Sequence, residues 1–357
     1  PSRKISFLPL YALSKIIDFT DFSPLTSTTF ELLIISIFPC LIFSPTILRI
    51  FSVLSTLFGI SIFVFDVLRV IPGDTITGSF GIETGVLTPD QIAQLRHYYG
   101  IDQSLLLQYL SWMKSFLSGQ LGYSFSTGVS VLKLTKSALP VTVELALIGT
   151  ILGVVIGIAI GMFSARKPGS FRDFAGQLFG LLALAIPGFV LSTAIVTIMA
   201  NKFHYFPNGL EYMPPWENPW TNFQQMMFPG LVLGIAVAAP VMRTTRSALL
   251  ETVDKDFVRT AHGKGVAPRK VQYRHILRNS LIPIVTMTGI QFGYLLGGAV
   301  IVEQIFALPG MGRQVLNAIT KREYATVQSS VMIFAIMFVT INVLTDLIYR
   351  KIDPRIK

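Results

Sequence analysis

The chain has 357 residues, of which 52% are apolar and 13% charged, about half the charged share of a soluble domain. A mean hydropathy of +0.61 excludes a soluble enzyme and points to several membrane spans. The net charge of +10 would suit a nucleic-acid binder, but the excess sits in loops that fall on one side of the membrane, so no nucleic-acid partner is expected.

The first 47 residues form an N-terminal extension with an apolar run at 32–44 (LLIISIFPCLIFS), interrupted by Pro39 and followed by Pro45. That run is short for a span and reads equally as an interfacial segment, a signal-like stretch or an extra tilted helix. Pro1 leaves the true start of the chain open. The single Cys40 excludes an intrachain disulfide and a CxxC metal site. His97, His204, His262 and His275 lack zinc-ligand spacing, so no metal site is expected.

Six later segments are long and apolar enough to cross roughly 30 Å of hydrocarbon: 48–71, 139–163, 174–200, 228–247, 283–306 and 327–349. The first connection, 72–138, is a large loop with four basic and four acidic residues and turn signals at Pro72-Gly73-Asp74, Gly78, Gly81, Gly85 and Pro89. The 201–227 connection is nearly uncharged and holds Tyr205, Phe206, Pro207, Pro214, Pro215, Trp216, Pro219 and Trp220. Prolines at that density favour an extended or turn-rich loop, and the aromatics suit the membrane–water interface. The remaining connections are basic. Residues 164–173 hold Arg166, Lys167 and Arg172, nine Lys/Arg lie from Arg243 to Arg278, and four lie in the tail Arg350–Lys357. Sixteen cations on one side against eight on the other orient both ends of the six-helix unit towards the cytoplasm.

Charges within spans need an account. Asp66 and Arg69, three apart, and Asp346 and Arg350, four apart, are spaced to pair on one helix face. Glu144 and Glu303 lie near outer span ends. Glu303 follows the glycine-rich stretch Gly293 to Gly298, where small residues allow close helix packing. It reads either as a satisfied interfacial carboxylate or, with Gly297 and Gly298, as part of a pathway or gate. Pro140, Pro187, Pro240 and Pro283 can bend their spans.

The 248–282 loop is long enough for two small helices. Leu249, Leu250, Val253, Phe257 and Ala261 recur at helical spacing among charged neighbours, which predicts an amphipathic helix broken at Gly263-Lys264-Gly265. Pro268 is placed to open the next helix. Helix, glycine turn and helix make a protruding elbow, which reads as a docking surface or as a solvated linker. A phosphate-binding loop is excluded, since G-x-x-x-x-G-K-[ST] would need Gly at Val258 and Ser or Thr at Gly265. No nucleotide or other cofactor is expected on this chain.

The loop also carries a resemblance. Asp256-Phe257-Val258-Arg259-Thr260-Ala261-His262-Gly263-Lys264-Gly265, followed by His275-Ile276-Leu277-Arg278-Asn279-Ser280-Leu281-Ile282-Pro283, is similar to the coupling signature of ABC-importer permeases of the oligopeptide/dipeptide/nickel family. Further blocks resemble the first (B-type) of that family's two permease subunits: Leu68–Asp74, Tyr99–Asp102, Gly119–Ser124, Gly297–Phe306, Leu308–Gly312, and Asp346 with Asp353-Pro354-Arg355. Coverage is about 48–357. Gly263 stands where Ala is usual and Gln120 where Asp is usual, and residues 1–47 have no counterpart.

The resemblance implies an all-α polytopic membrane protein, a six-helix type I importer transmembrane domain in a prokaryotic cytoplasmic membrane. It has a cytoplasmic coupling-helix loop and a large external loop after the first span. It implies half of a translocation pore for di- or oligopeptides, with nickel complexes, glutathione or oligosaccharides as other cargo of similar permeases. The expected partners are a paralogous second permease, two cytoplasmic ATPases that use ATP and Mg, and an extracytoplasmic substrate-binding protein meeting loop 72–138. The ATPase-coupling residues would be Arg259, Thr260, Ala261, Gly263, Lys264, Gly265, Val266, Ala267, Pro268 and Arg269. The competing classes are an ATP-independent secondary transporter, which would show central ion sites and inverted repeats, and a simple membrane anchor.

Overall fold

The computed structural model describes residues 45–70, 88–98, 100, 102–206 and 211–352. The apolar run 32–44, the turn-rich segment 72–87 and the tail 353–357 lie outside the described residues.

Helix α1 (Pro45–Val70) is the first span. Two short helices, α2 (Pro89–Tyr98) and α3 (Leu105–Leu117), follow in the large loop. The second span, α4 (Val131–Ala165), is 35 residues long, opens on a Ser130 cap and carries Pro140 in its interior. Residues 174–200, expected as one helix, are instead two: α5 (Phe171–Ala185) and α6 (Gly188–Phe203), bent by 90°. The cause is local. Proline disfavours the helical region for the residue before it, and Ile186 sits extended at φ −87°, ψ 112° ahead of Pro187.

The fourth span, α7 (Pro219–Val253), outruns its expected limits because Asn218 caps it, accepting from Thr221 N, and Pro219 opens it. The elbow is α8 (Asp256–Gly263) and α9 (Pro268–Lys270), the latter running into a π-helical turn at Val271–Leu277. The fifth span is α10 (Leu281–Gly298) with α11 (Val300–Ile305), separated at Ala299. A short α12 (Met311–Thr320) precedes the last span, α13 (Tyr324–Ile352). Among the described residues, four helices can cross a membrane alone, and up to six spans result if Phe171–Ala185 with Gly188–Phe203 (bent by 90°) and Pro268–Leu277 with Leu281–Gly297 (bent by 56°) each count as one.

The centre of the bundle is the α4–α7 pair. Gly149, Gly153, Gly157 and Gly161 recur every fourth residue, so all four lie on one face of α4. A Cβ on Gly153 would come within 2.5 Å of Val237 Cβ, and one on Gly157 within 2.8 Å of the Ala238 carbonyl. From the opposite helix Gly230 and Gly234 face Ile148 and Leu152 equally closely. The two helices therefore touch through backbone, the route to tight association where lipid removes the hydrophobic drive. Around them pack Val141, Leu145, Ile284, Leu296, Val302 and Phe306.

The expected packing role of the Gly293–Gly298 stretch holds in part. Gly293 lies against the Phe338 ring, and Gly289 one turn earlier lies against Thr345. Gly297 has open space where a Cβ would stand.

Candidate functional site

The elbow is built on the end of α7. The single helical stripe expected from Leu249 to Ala261 is divided by a turn at Asp254-Lys255, which re-aims the chain. Val258 and Ala261 of α8 then become the buried positions, joined by Leu249, Met162, Val271 and Ile276 in a small core of their own. Val253 and Phe257, expected on the packed side, are each 41% exposed. Ser280 fastens the far end, donating to the Ala248 carbonyl at 3.0 Å and lying 3.0 Å from the Thr252 hydroxyl.

The tip has a defined geometry. Gly265 N donates to the His262 carbonyl and Val266 N to the Ala261 carbonyl, the paired bonds of a Schellman stop. Gly265 adopts φ +73°, and no atom lies within 4 Å of a Cβ added there. Within the chain its need for glycine is thus conformational, not one of close approach. Val266 folds back on the Val258/Ala261 core, as a residue at that position of the motif does. Arg259, Thr260, Gly263, Lys264, Gly265, Ala267, Pro268 and Arg269 are exposed, whereas Ala261 is buried and Val266 half-buried. Nine of the ten residues expected to couple therefore present surface, and Ala261 serves the fold beneath them.

On the same side of the bundle, Arg246 is spent structurally. Its guanidinium makes a two-pronged bond to buried Asp173, Nε to Oδ1 at 2.7 Å and a terminal nitrogen to Oδ2 at 2.8 Å. Ser164 Oγ and Gly169 N also donate to that carboxylate. Asp173 thereby ties α4, α5 and α7 together. The sequence signal was available, since Asp173 is the sole acid in the basic 164–173 connection.

Glu303 is fully buried. Oε1 accepts from Thr142 Oγ1 at 2.6 Å and Oε2 from Arg313 N at 2.9 Å, while Met311 N donates to Thr142 Oγ1 at 2.8 Å. The carboxylate thus occupies the N-terminus of α12, where unpaired backbone N–H groups and the helix dipole favour an anion. A Cβ on Gly310 would fall within 2.4 Å of the carboxylate, and one on Gly312 within 2.7 Å of Val300 Cα. Those contacts explain Leu308-Pro309-Gly310-Met311-Gly312 physically: both glycines let α12 close on Glu303. In this structure the carboxylate is hydrogen-bonded at both oxygens.

The opposite side of the bundle has a parallel lock. Glu323 accepts from Ser124 Oγ at 2.9 Å, Ser126 N at 3.0 Å and Thr326 Oγ1 at 2.9 Å, which clips the end of the large loop to the start of α13. Burial alone would raise its pKa, but the bonds from Ser126, Thr326 and Ser124 prevail and hold it below the usual glutamate range. Tyr212 donates to Glu144. Gln225 and Asn222 bind the backbone of Glu211 and Met213, laying the proline-rich loop over the start of α7. Trp216 and Trp220 stay exposed, as an interfacial setting requires.

Asp66 and Arg69 attract through their charges, as expected, but the hydrogen bonds of Arg69 go elsewhere. Arg69 gives Nε and a terminal nitrogen to Gln108 Oε1, both at 3.1 Å, and lies over the Phe65 ring. The Gln108 amide oxygen takes both donors and so joins the span to α3. The side chain of Arg350, the expected partner of Asp346, lies outside the described residues.

Long helices packed through glycine, with an amphipathic elbow pinned to their ends, define a multi-pass helical membrane protein. Residues 157–357 match the family "Binding-protein-dependent transport system inner membrane component", and residues 41–146 match its N-terminal companion. The chain belongs to this family of membrane transport components. It is 33% identical over 310 residues to a probable peptide ABC transporter permease protein of Sinorhizobium fredii, covering 87% of this chain and 97% of the relative. It is 32% identical over 328 residues to the dipeptide transport system permease protein DppB of Alkalihalophilus pseudofirmus, covering 87% and 98%. The oligopeptide transport system permease protein AppB of Bacillus subtilis is 31% identical over 303 residues, covering 84% and 95%. Among solved structures, an inward-facing MetNI methionine ABC transporter aligns with a TM-score of 0.49 at 16% identity, covering 61% of this chain and 96% of that one. An amino acid ABC transporter aligns at 0.46 and 19%, covering 61% and 94%.

Proposed function

We propose that this chain is one half of the translocation pore of an ATP-driven importer of di- or oligopeptides, of the type I architecture. Its partners are a paralogous permease, two cytoplasmic ATPases and an extracytoplasmic binding protein. ATP is bound and hydrolysed, with Mg, by the ATPases. Both ends of the six-helix unit face the cytoplasm, and the large loop after the first span faces the binding protein. Support for the cargo comes from the relatives, which are named as peptide, dipeptide and oligopeptide permeases.

The observation that carries the coupling role is the elbow's division of labour. Val258, Ala261, Val271 and Ile276 fix it to the spans, while Arg259, Lys264 and Arg269 stand exposed around a rigid Schellman tip. A push on the tip is therefore transmitted to α7 and α10, a two-state element that a ligand can bias. Reversing charge at the tip, with Lys264→Glu and Arg269→Glu together, alters no buried contact. Uptake of a labelled dipeptide into membrane vesicles should fall at least ten-fold while the chain stays inserted at normal levels. Unchanged uptake would remove the elbow from the mechanism.

A further inference from the structure

A cavity of about 620 Å³ lies on the large-loop side of the bundle, where α3 and the 119–123 turn meet the first turns of α4 and α13. Its walls combine apolar surface from Leu121, Leu132 and Ala325 with uncharged donors from Trp112, Ser115 and Gln328. Gln328 is only 3% exposed, yet its amide nitrogen has no hydrogen-bond partner, and the Trp112 indole nitrogen is likewise buried and unpaired. Buried donors left without an acceptor are costly, so each calls for a partner. The neighbouring frame is well fixed: Ser329 Oγ donates to the Leu121 carbonyl at 3.2 Å, and Gly122 packs against Ala325.

Depth narrows the occupant. Gln328 stands one turn inside the last span, beside a Trp and a Tyr of the kind that mark the interfacial zone. Helix α3 has no buried residue and exposes five leucines, Leu105, Leu106, Leu107, Leu110 and Leu117. It has the character of a helix lying in the membrane surface. At that depth the abundant partner that brings only acceptors is the glycerol–ester region of a phospholipid. We propose that this cavity is a phospholipid site, in which Gln328 and Trp112 donate to acyl-ester carbonyls and the acyl chain leaves past Leu132.

Photolabelling of the intact complex in its membrane tests this, with a diacyl phospholipid bearing a diazirine beside the acyl carbonyl. Labelled residues are mapped by mass spectrometry. Adducts should concentrate on Trp112, Tyr123 and Leu132, and fall at least five-fold in both Gln328→Leu and Leu132→Phe. Labelling of Phe338 and Val343, which are exposed along α13, should stay constant in both variants and so report that they remain folded and inserted. Three results would overturn the proposal. One is cavity labelling no denser than at Phe338; another is labelling insensitive to both substitutions. The third is labelling present in the isolated chain and absent from the complex, which would make the occupant a protein.

Discussion

Glu303 shows how far one side chain can organise its surroundings. Its carboxylate collects a hydroxyl from the second span and a backbone N–H from the start of α12, and its side chain is 0% exposed. Glu303→Ala should destabilise the chain by about 3 kcal/mol, because it strands several buried donors at once. Glu303→Gln should cost less, since it keeps one acceptor oxygen while setting an NH2 group against an N–H. The midpoint of unfolding in SDS titration reads both, and an alanine variant as stable as the parent would refute the assignment. The sequence made the residue visible as a carboxylate near a span end. It could not show the closure, because the contact joins Glu303 to Thr142, 161 residues away in the chain. The Gly310 and Gly312 pair held the missing clue, as glycines beside an acid with no other reason to be small.

At the scale of elements, periodicity located the helices and proline chemistry set their breaks. The six apolar segments all appear, and the capped ends of α4 and α7 extend beyond hydropathy because amphipathic turns continue past the hydrocarbon. Pro187 marks the bend in 174–200 though not its 90° sharpness; what escaped was the split of the 249–261 stripe, where the Asp254-Lys255 turn carries no Gly or Pro to mark it. The GxxxG series of α4 was legible at fixed spacing yet hidden in a uniformly apolar run, where every face satisfies lipid equally. It yields a contrast. Gly153→Leu forces a side chain into Val237 and should cost about 3 kcal/mol or prevent the α4–α7 pair from forming. Gly297→Ala meets open space and should be neutral or slightly stabilising, by under about 1 kcal/mol. An equal response of the two variants in the same SDS titration would contradict the assigned interface.

For the whole molecule, the proposed orientation and role rest on charge. Cations cluster in the connections that end α4, α7 and α13, and the elbow's exposed cations sit on a scaffold that the bundle itself holds rigid. On the proposed reading the elbow is a surface for a driving partner, and the sequence carries no G-x-x-x-x-G-K-[ST] of its own. Mild-detergent purification from the native membrane, followed by mass spectrometry of what remains attached, tests that most directly. The account predicts a second, paralogous permease together with one or two ATPases, lost on charge reversal at Lys264 and Arg269. A stable chain recovered alone would contradict it and return the protein to the class of self-sufficient transporters.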